Sequence, residues 1–399
     1  NHLYEQGKFN VSQPIKNFLA SNSPLVKNDI IGFYDNSGDS YMNFPKRPTH
    51  TDITVRQLMT HTAGYDERMF LSMPTAQDRT SVKDYLEARM PPRIRETDTC
   101  IAYSNMGIAL LSHLVENTAQ DSCGNLIRNK IFEPLKMNNS YFDFSAALES
   151  NPNYAKPAVR IPGGNSQSYI EMKQYGQYIS VPAIGGIWST AEDVSRYAMA
   201  HLNYGLSPET GNRILNEETA RYMYAQHFSN HKELPGIGLI WFQNKFETSE
   251  GISIDYISHG GVLPPYFSTL ALFHKYNCAI FITTTARDAT VLKPVLQKFV
   301  YTALLNHTAT CSGKNMHFNE ATSECTETVA IENIKPVDDT RWSLYTGCYK
   351  NQRYDHTSWL KYAMSMFYMT PICFAKSGNL IKQTFPLGSS RMIPMGKFA

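Results

Sequence analysis

The residue pattern predicts an α+β fold, with helices in the first half, an antiparallel sheet after them and a small β unit at the C-terminal end. Three observations carry this. Helix caps and stops recur between Thr54 and Glu218. Short runs of β-favouring residues, separated by turn residues, lie between Gly238 and Thr284. Helical spacing then returns from Val291 to Leu305, and from Arg341 the pattern is strand-like again.

In order along the chain, Thr54 and Gln57 have the spacing of a capping box, and Gly64 is placed to close that short helix at C′. Ser104 is a cap for a longer helix. Its apolar positions Ile108, Leu111, Leu114 and Val115 share one face, Gln120 and Asp121 lie near its end, and Tyr103 and Asn105 flank its mouth. Ser189-Thr190-Ala191-Glu192 reads as another capping box, followed by Val194, Tyr197, Ala198, His201 and Leu202 on one face and Gly205 as the stop. Asn216-Glu217-Glu218 opens a fourth helix, whose acids suit the positive end of the helix dipole.

The runs Gly238–Phe242, Ser253–Ile257, Ser268–Phe273 and Cys278–Thr284 are expected to pair as an antiparallel sheet, on which the Val291–Leu305 helix packs. This divides the chain into a domain over residues 1–306, a polar linker over 307–339 that ends in Lys335-Pro336, and a small β domain over 340–399. Tyr345, Gly347, Tyr349 and the Gly378-Asn379 pair mark that last unit, whose pattern is still open where the chain stops. There is no internal repeat.

Of 399 residues, 42% are hydrophobic and 18% charged, which suits a large buried core and excludes an ordinary disordered chain. Lysine plus arginine number 37 against 35 aspartates and glutamates, so the net charge of +2 gives no sequence-wide pull on nucleic acid or anionic membrane. The expected partner is a small molecule or a short peptide, with no nucleic acid. Gly261–Phe273 and Tyr362–Ala375 are too short for the roughly 18–20 apolar residues of a spanning helix and both contain proline, so no transmembrane segment is expected.

Seven cysteines (Cys100, Cys123, Cys278, Cys311, Cys325, Cys348 and Cys373) form no C-x-x-C, and neither a metal site nor a cofactor is expected. Cys311 and Cys325 are either two free thiols or a loop disulfide, which would stabilise by about 3 kcal/mol in an oxidising compartment. With the sequons at Asn10, Asn138 and Asn306, they point to a secreted or lumenal setting.

The chain has no G-x-S-x-G, H-E-x-x-H, P-loop or G-x-G-x-x-G. What remains is Tyr103-Ser104-Asn105 at a helix mouth and His259-Gly260-Gly261 ahead of an apolar run. Glycines at a strand edge let a backbone N–H come close to a ligand and donate to a developing oxyanion. On these residues alone, Gly260-Gly261 reads as a plain turn into a strand and His259 as a surface or packed histidine.

Four segments in order do, however, resemble the serine β-lactamase and penicillin-binding-protein family, in its class C and esterase-like branch. They are Ile53–Gly64 (ITVRQLMTHTAG), Tyr103–Leu111 (YSNMGIALL), Pro182–Asp193 (PAIGGIWSTAED) and His259-Gly260-Gly261. Leu3–Lys8 is similar to the family's segment directly after the nucleophile helix, and Tyr345–Tyr349 to a small β domain that some members append. The resemblance covers residues 3–305. It implies an antiparallel sheet flanked by helices plus a helical subdomain holding Tyr103, and acyl transfer through a serine ester.

Under that resemblance Tyr103 is the general base, Asn105 orients the substrate, His259 is the third-motif side chain beside Gly260 and Gly261, and Val262 offers the oxyanion N–H. A tyrosine, with an ordinary pKa near 10, works as a base at neutral pH only beside a cation, a role that belongs to the lysine of the family's Ser-x-x-Lys. The resemblance places that motif before Leu3, so the 1–306 domain is expected to be N-terminally incomplete and this stretch alone inactive. Ser229-x-x-Lys232 and Ser358-x-x-Lys361 come after Tyr103 and read as coincidences. Histidine in place of lysine in the third motif points towards esterase or D-amino-acid peptidase members, while Leu263-Pro264-Pro265-Tyr266 departs from the family's glycine-rich turn.

The alternative is a non-catalytic homologue that serves as a binding or assembly module. Several other residues have structural readings: His61 packs and satisfies backbone groups, Ser189, Glu192 and Asp193 cap a helix, Asp338-Asp339 is a solvated pair, and the tyrosines serve packing.

Overall fold

In the computed structural model the described residues are 2–21, 23, 25, 52–67, 81–91, 93–150, 154–156, 178–179, 181–247, 253–263 and 266–285, with shorter segments at 30–31, 47–48, 72–73, 158–160, 169–171, 295–296, 299–300, 316–319, 324–327, 347–349, 372–377, 380–385 and 388–392. They divide into two compact units, Asn1–His307 and Thr308–Ala399.

The first unit carries α1 (His2–Glu5), α2 (Val55–Met59), α3 (Val82–Arg89), α4 (Asn105–Ala119), α5 (Cys123–Ile127), α6 (Phe144–Ser150), α7 (Ala191–Leu202) and α8 (Glu217–Tyr224). Its sheet consists of β1 (Phe242–Glu247), β2 (Ser253–Leu263), β3 (Tyr266–Phe273) and β4 (Cys278–Thr284), antiparallel throughout in the order β4-β3-β2-β1.

Strand alternation decides which side chains each face of the sheet presents. Ile257 and Leu272 join the large core that also holds Val55, Leu58, Met106, Leu110 and Leu114, and α7 packs against β3 and β4. Ile254, Ala271 and Phe273 point the other way and pack with Val300, which follows the sheet. Both faces are therefore covered, giving the mixed α+β layering that the sequence predicts. Each fully buried Leu or Phe in these layers stabilises by about 1.5–3 kcal/mol relative to exposure. Of the Val291–Leu305 run only residues 295–296 and 299–300 are described, and these are helical.

Several boundaries differ from the sequence expectation, and β2 runs on past Ile257 to Leu263, so Gly260-Gly261 lies within a paired strand and is no turn. The capping box of α2 is formed as expected, but the C′ position falls at the left-handed His61 (φ 53), and Gly64 (φ 82) lies three residues further on. The cap of α7 is Thr190, whose hydroxyl accepts from the N–H of Asp193; Ser189 and Glu192 are one residue out of register with it. Gly238–Trp241 is no strand, because its backbone bonds go to helix ends instead of a neighbouring strand. Leu239 N–H donates to the carbonyl of Met223 (2.8 Å) and Ile240 N–H to that of Met59 (2.9 Å), which pins this loop to α8 and α2 before β1 begins.

In the second unit, β5 (Met316–Asn319) pairs with β6 (Glu324–Glu327), and β7 (Gly347–Tyr349), β8 (Ile372–Ser377), β9 (Leu380–Phe385) and β10 (Gly388–Met392) form an antiparallel sheet in that order. Its register sets Cys348 opposite Cys373, and in the hairpin Cys325 lies opposite Phe318. Cys311, Asp338-Asp339 and Ser358-x-x-Lys361 lie outside the described residues. Among the described residues no helix is long and apolar enough to cross a membrane.

Candidate active site

Tyr103 sits one residue before the cap of α4, in a segment held at both ends. Ser104 adopts an extended backbone (φ −137, ψ 112), and its hydroxyl accepts from the N–H of Gly107 at 3.1 Å while donating to the carbonyl of Asp66 at 3.3 Å. The Ser104 N–H donates to Nδ1 of His61 at 3.2 Å, and the Ala102 N–H donates to the His61 carbonyl at 2.8 Å. His61 thus brackets Tyr103 from both sides, and its ring lies on the Tyr103 ring with centroids 4.3 Å apart. Because Nδ1 accepts from a backbone donor, the imidazole proton belongs on Nε2.

The loop that leaves α2 carries this bracket. Its turn depends on Gly64 (φ 82), where a Cβ would stand 2.2 Å from the carbonyl oxygen of Arg95. Asp98 ties the same loop down. Its carboxylate accepts from the Thr62 hydroxyl (2.7 Å), the Gln57 amide (2.7 Å) and Arg56 (3.2 Å).

Asn105 is the first residue of α4 and is buried at 8% exposure. Its backbone N–H donates to Glu67 Oε2 at 2.7 Å and its side-chain Nδ2 to Glu67 Oε1 at 3.3 Å. Glu67 itself is only 2% exposed, and both of its carboxyl oxygens meet donors of Asn105 at the N-terminus of α4. The sequence reading did not single out Glu67. The available signal was Asp66-Glu67, two adjacent acids directly after Thr62-Ala63-Gly64-Tyr65.

His259 reaches this point from the sheet. The rings of Tyr103 and His259 are 6.4 Å apart, and Phe242 stands 6.3 Å from Tyr103, 5.8 Å from His259 and 6.2 Å from His61. Phe242, at the start of β1, is the other residue that the sequence reading missed, since a lone aromatic at a strand end carries no local signal of a site. Burial lowers the His259 pKa from its ordinary 6.5, against a weaker opposing hydrogen bond with the Gly260 backbone, so the imidazole is neutral at pH 7.

Gly260, Gly261 and Val262 continue β2 beyond His259 and pair with Thr269, Ser268 and Phe267 of β3. β1 begins at Phe242 opposite Ser258, so among the described residues no strand lies along the other edge of His259–Leu263. A Cβ at Gly261 would come within 2.8 Å of Ser268 Oγ, and Val262 is 61% exposed. Pro264 and Pro265 lie outside the described residues.

Ser229-x-x-Lys232 lies in an exposed turn in which the Ser229 hydroxyl donates to the carbonyl of His231, so it does not present a serine and a lysine on one helical face. Among the described residues no group of three or more His, Cys, Asp or Glu side chains could hold a metal ion. Cys100, Cys123 and Cys278 are free, and burial pushes the Cys123 thiol up to about 12.

The sheet with helices on both faces and the ordered motifs define a class, and comparison with known proteins agrees. Residues 1–298 match the model of the beta-lactamase family, and the chain belongs to that family. Penicillin-binding protein 4 of Amycolatopsis lactamdurans is 24% identical over 194 residues, covering 44% of each chain. Beta-lactamase-like protein 4 of Dictyostelium discoideum is 23% identical over 260 residues, 60% of this chain and 42% of that one. The chain thus spans less than half the length of these curated relatives. The octameric penicillin-binding protein homologue from Pyrococcus abyssi shares the fold with a TM-score of 0.56 at 16% identity, over 98% of this chain and 74% of that one.

Proposed function

We propose that the full-length protein is a serine hydrolase that cleaves an ester or amide in a small molecule or short peptide through an acyl-enzyme. The nucleophile and its lysine come from a Ser-x-x-Lys segment ahead of Leu3. The single observation that carries this is the meeting of Tyr103 and His259, from a helix mouth and a distant strand, with rings 6.4 Å apart around Phe242.

Tyr103, as the phenolate held by the motif lysine, takes the proton of the serine hydroxyl as its oxygen bonds to the substrate carbonyl carbon. The carbonyl oxygen becomes an oxyanion, which the Val262 N–H stabilises. As the C–O or C–N bond breaks, the protonated Tyr103 returns its proton to the leaving alcohol or amine. Water then enters the same way and releases the acid. Asn105 holds the substrate in line. The neutral His259 puts no fixed positive charge at the mouth, which favours an uncharged ester or amide over a substrate anchored by its carboxylate.

The test is the intact mass of the full-length protein before and after treatment with a serine-directed fluorophosphonate. One adduct, mapped to the Ser-x-x-Lys serine, is expected. No adduct would overturn the proposal and leave the non-catalytic binding module.

A further inference from the structure

We infer that Glu67 is a positioning residue which sets the orientation of the Asn105 amide, so that its NH2 group is held on Glu67 and its oxygen acceptor faces away from the helix mouth. This rests on the acyl-enzyme reading above for its consequence in rate, but the orientation itself follows from hydrogen-bonding rules.

A carboxylate accepts and cannot donate. Glu67 Oε2 is taken by the Asn105 backbone N–H at 2.7 Å, and Oε1 lies 3.3 Å from the Asn105 side chain. An ionised Glu67 can face only the NH2 end of the amide, because Oδ1 against Oε1 would set two acceptors together in a site that is 2% exposed at Glu67 and 8% at Asn105. The usual ambiguity between the two ends of an asparagine amide is thereby removed by chemistry. Oδ1 is left as an acceptor for the ammonium of the motif lysine or an N–H of the substrate.

Glu67→Gln tests this because it reverses the pattern while leaving it complete. The new amide at position 67 must keep its oxygen on the Asn105 backbone N–H, so its NH2 group faces the Asn105 side chain. Asn105 then turns its oxygen inward and offers a donor outward. Asn105→Asp alone sets two carboxylates face to face, which is unfavourable. In the double variant the amide at 67 donates to one oxygen of the carboxylate at 105, and the other oxygen is again an outward acceptor.

The experiment measures the acylation rate with an activated ester, and the melting temperature, for the full-length protein and these three variants. Each single variant is expected to acylate at least about tenfold more slowly, and the double variant to recover most of that loss. Glu67→Gln is expected to melt close to the wild type, since the hydrogen bonds between positions 67 and 105 remain satisfied. Equal rates in wild type and Glu67→Gln overturn the inference while the serine-hydrolase reading stands. A double variant that is folded but slower than both singles overturns it as well. Absence of acylation in the wild type overturns the reading on which it rests.

Discussion

His61 shows how much one residue can hold. It is buried at 3% exposure in a left-handed conformation, accepts the Ser104 N–H on its ring and the Ala102 N–H on its carbonyl, and lies against the Tyr103 ring. Asparagine tolerates positive φ better than most residues, and its Oδ1 occupies much the same place as Nδ1 of histidine. Glutamine carries its oxygen one bond too far. We therefore expect His61→Asn to stay within about 1 kcal/mol of the wild type in urea unfolding, and His61→Gln and His61→Ala to lose about 2–3 kcal/mol. Equal losses in all three would mean that volume matters here and the Nδ1 acceptor does not. The Thr60-His61-Thr62 string is visible in the sequence, and packing plus backbone satisfaction follows from residue type. Which backbone group it satisfies is set by a segment some forty residues further on, and no local pattern encodes that.

At the scale of elements, α7 separates a cap from a tie. The Thr190 hydroxyl caps the helix, whereas the carboxylate of Asp193, fully buried, accepts from the Asn139 N–H (2.8 Å), the Ser140 hydroxyl (2.8 Å) and Arg196 (3.0 Å). The sequence reading assigned Asp193 to capping alone. Its backbone serves the cap, but its side chain fastens the helix start to the loop at Asn139-Ser140. Removing the carboxylate strands those donors, so Asp193→Ala should cost about 3 kcal/mol, against about 1 kcal/mol for Thr190→Ala. Chemical denaturation of the two variants checks the order, and a larger loss for Thr190→Ala would reverse it. The helix itself was legible from its apolar spacing; the register of its cap was not, because Ser189 and Thr190 both suit the position and packing chooses between them.

For the whole molecule, the buried histidines make stability depend on pH. His201 is 2% exposed, beside Tyr224, Trp241 and Tyr197, and burial pushes its pKa down to about 3, with His274 adding a smaller repulsion. Burial also lowers His113, His259 and His274. A folded-state pKa below the unfolded value means that the unfolded chain takes up the proton first. The stability of the neutral form is therefore complete above 6.5, and for His201 it falls away between 6.5 and about 3. The expected slope is about 1.4 kcal/mol per pH unit for each such histidine across its own window. Unfolding free energies measured from about pH 7 down to about pH 5 should decline, and replacing His201 with glutamine should flatten the decline. A flat profile in the unaltered protein would contradict it.

The sequence by itself determined the family, the helix that carries Tyr103 and Asn105, and the antiparallel strands that lead to His259. Those are properties of spacing, caps and ordered motifs, which a chain carries wherever it is read. Only the tertiary structure decided that Glu67 grips Asn105, that Phe242 stands among His61, Tyr103 and His259, and that β2 runs on beyond the start of β1. Each of these is a meeting of residues far apart in the chain. It is set by how the loop after α2, the mouth of α4 and the end of the sheet pack around one core, and it has no period or cap to announce it.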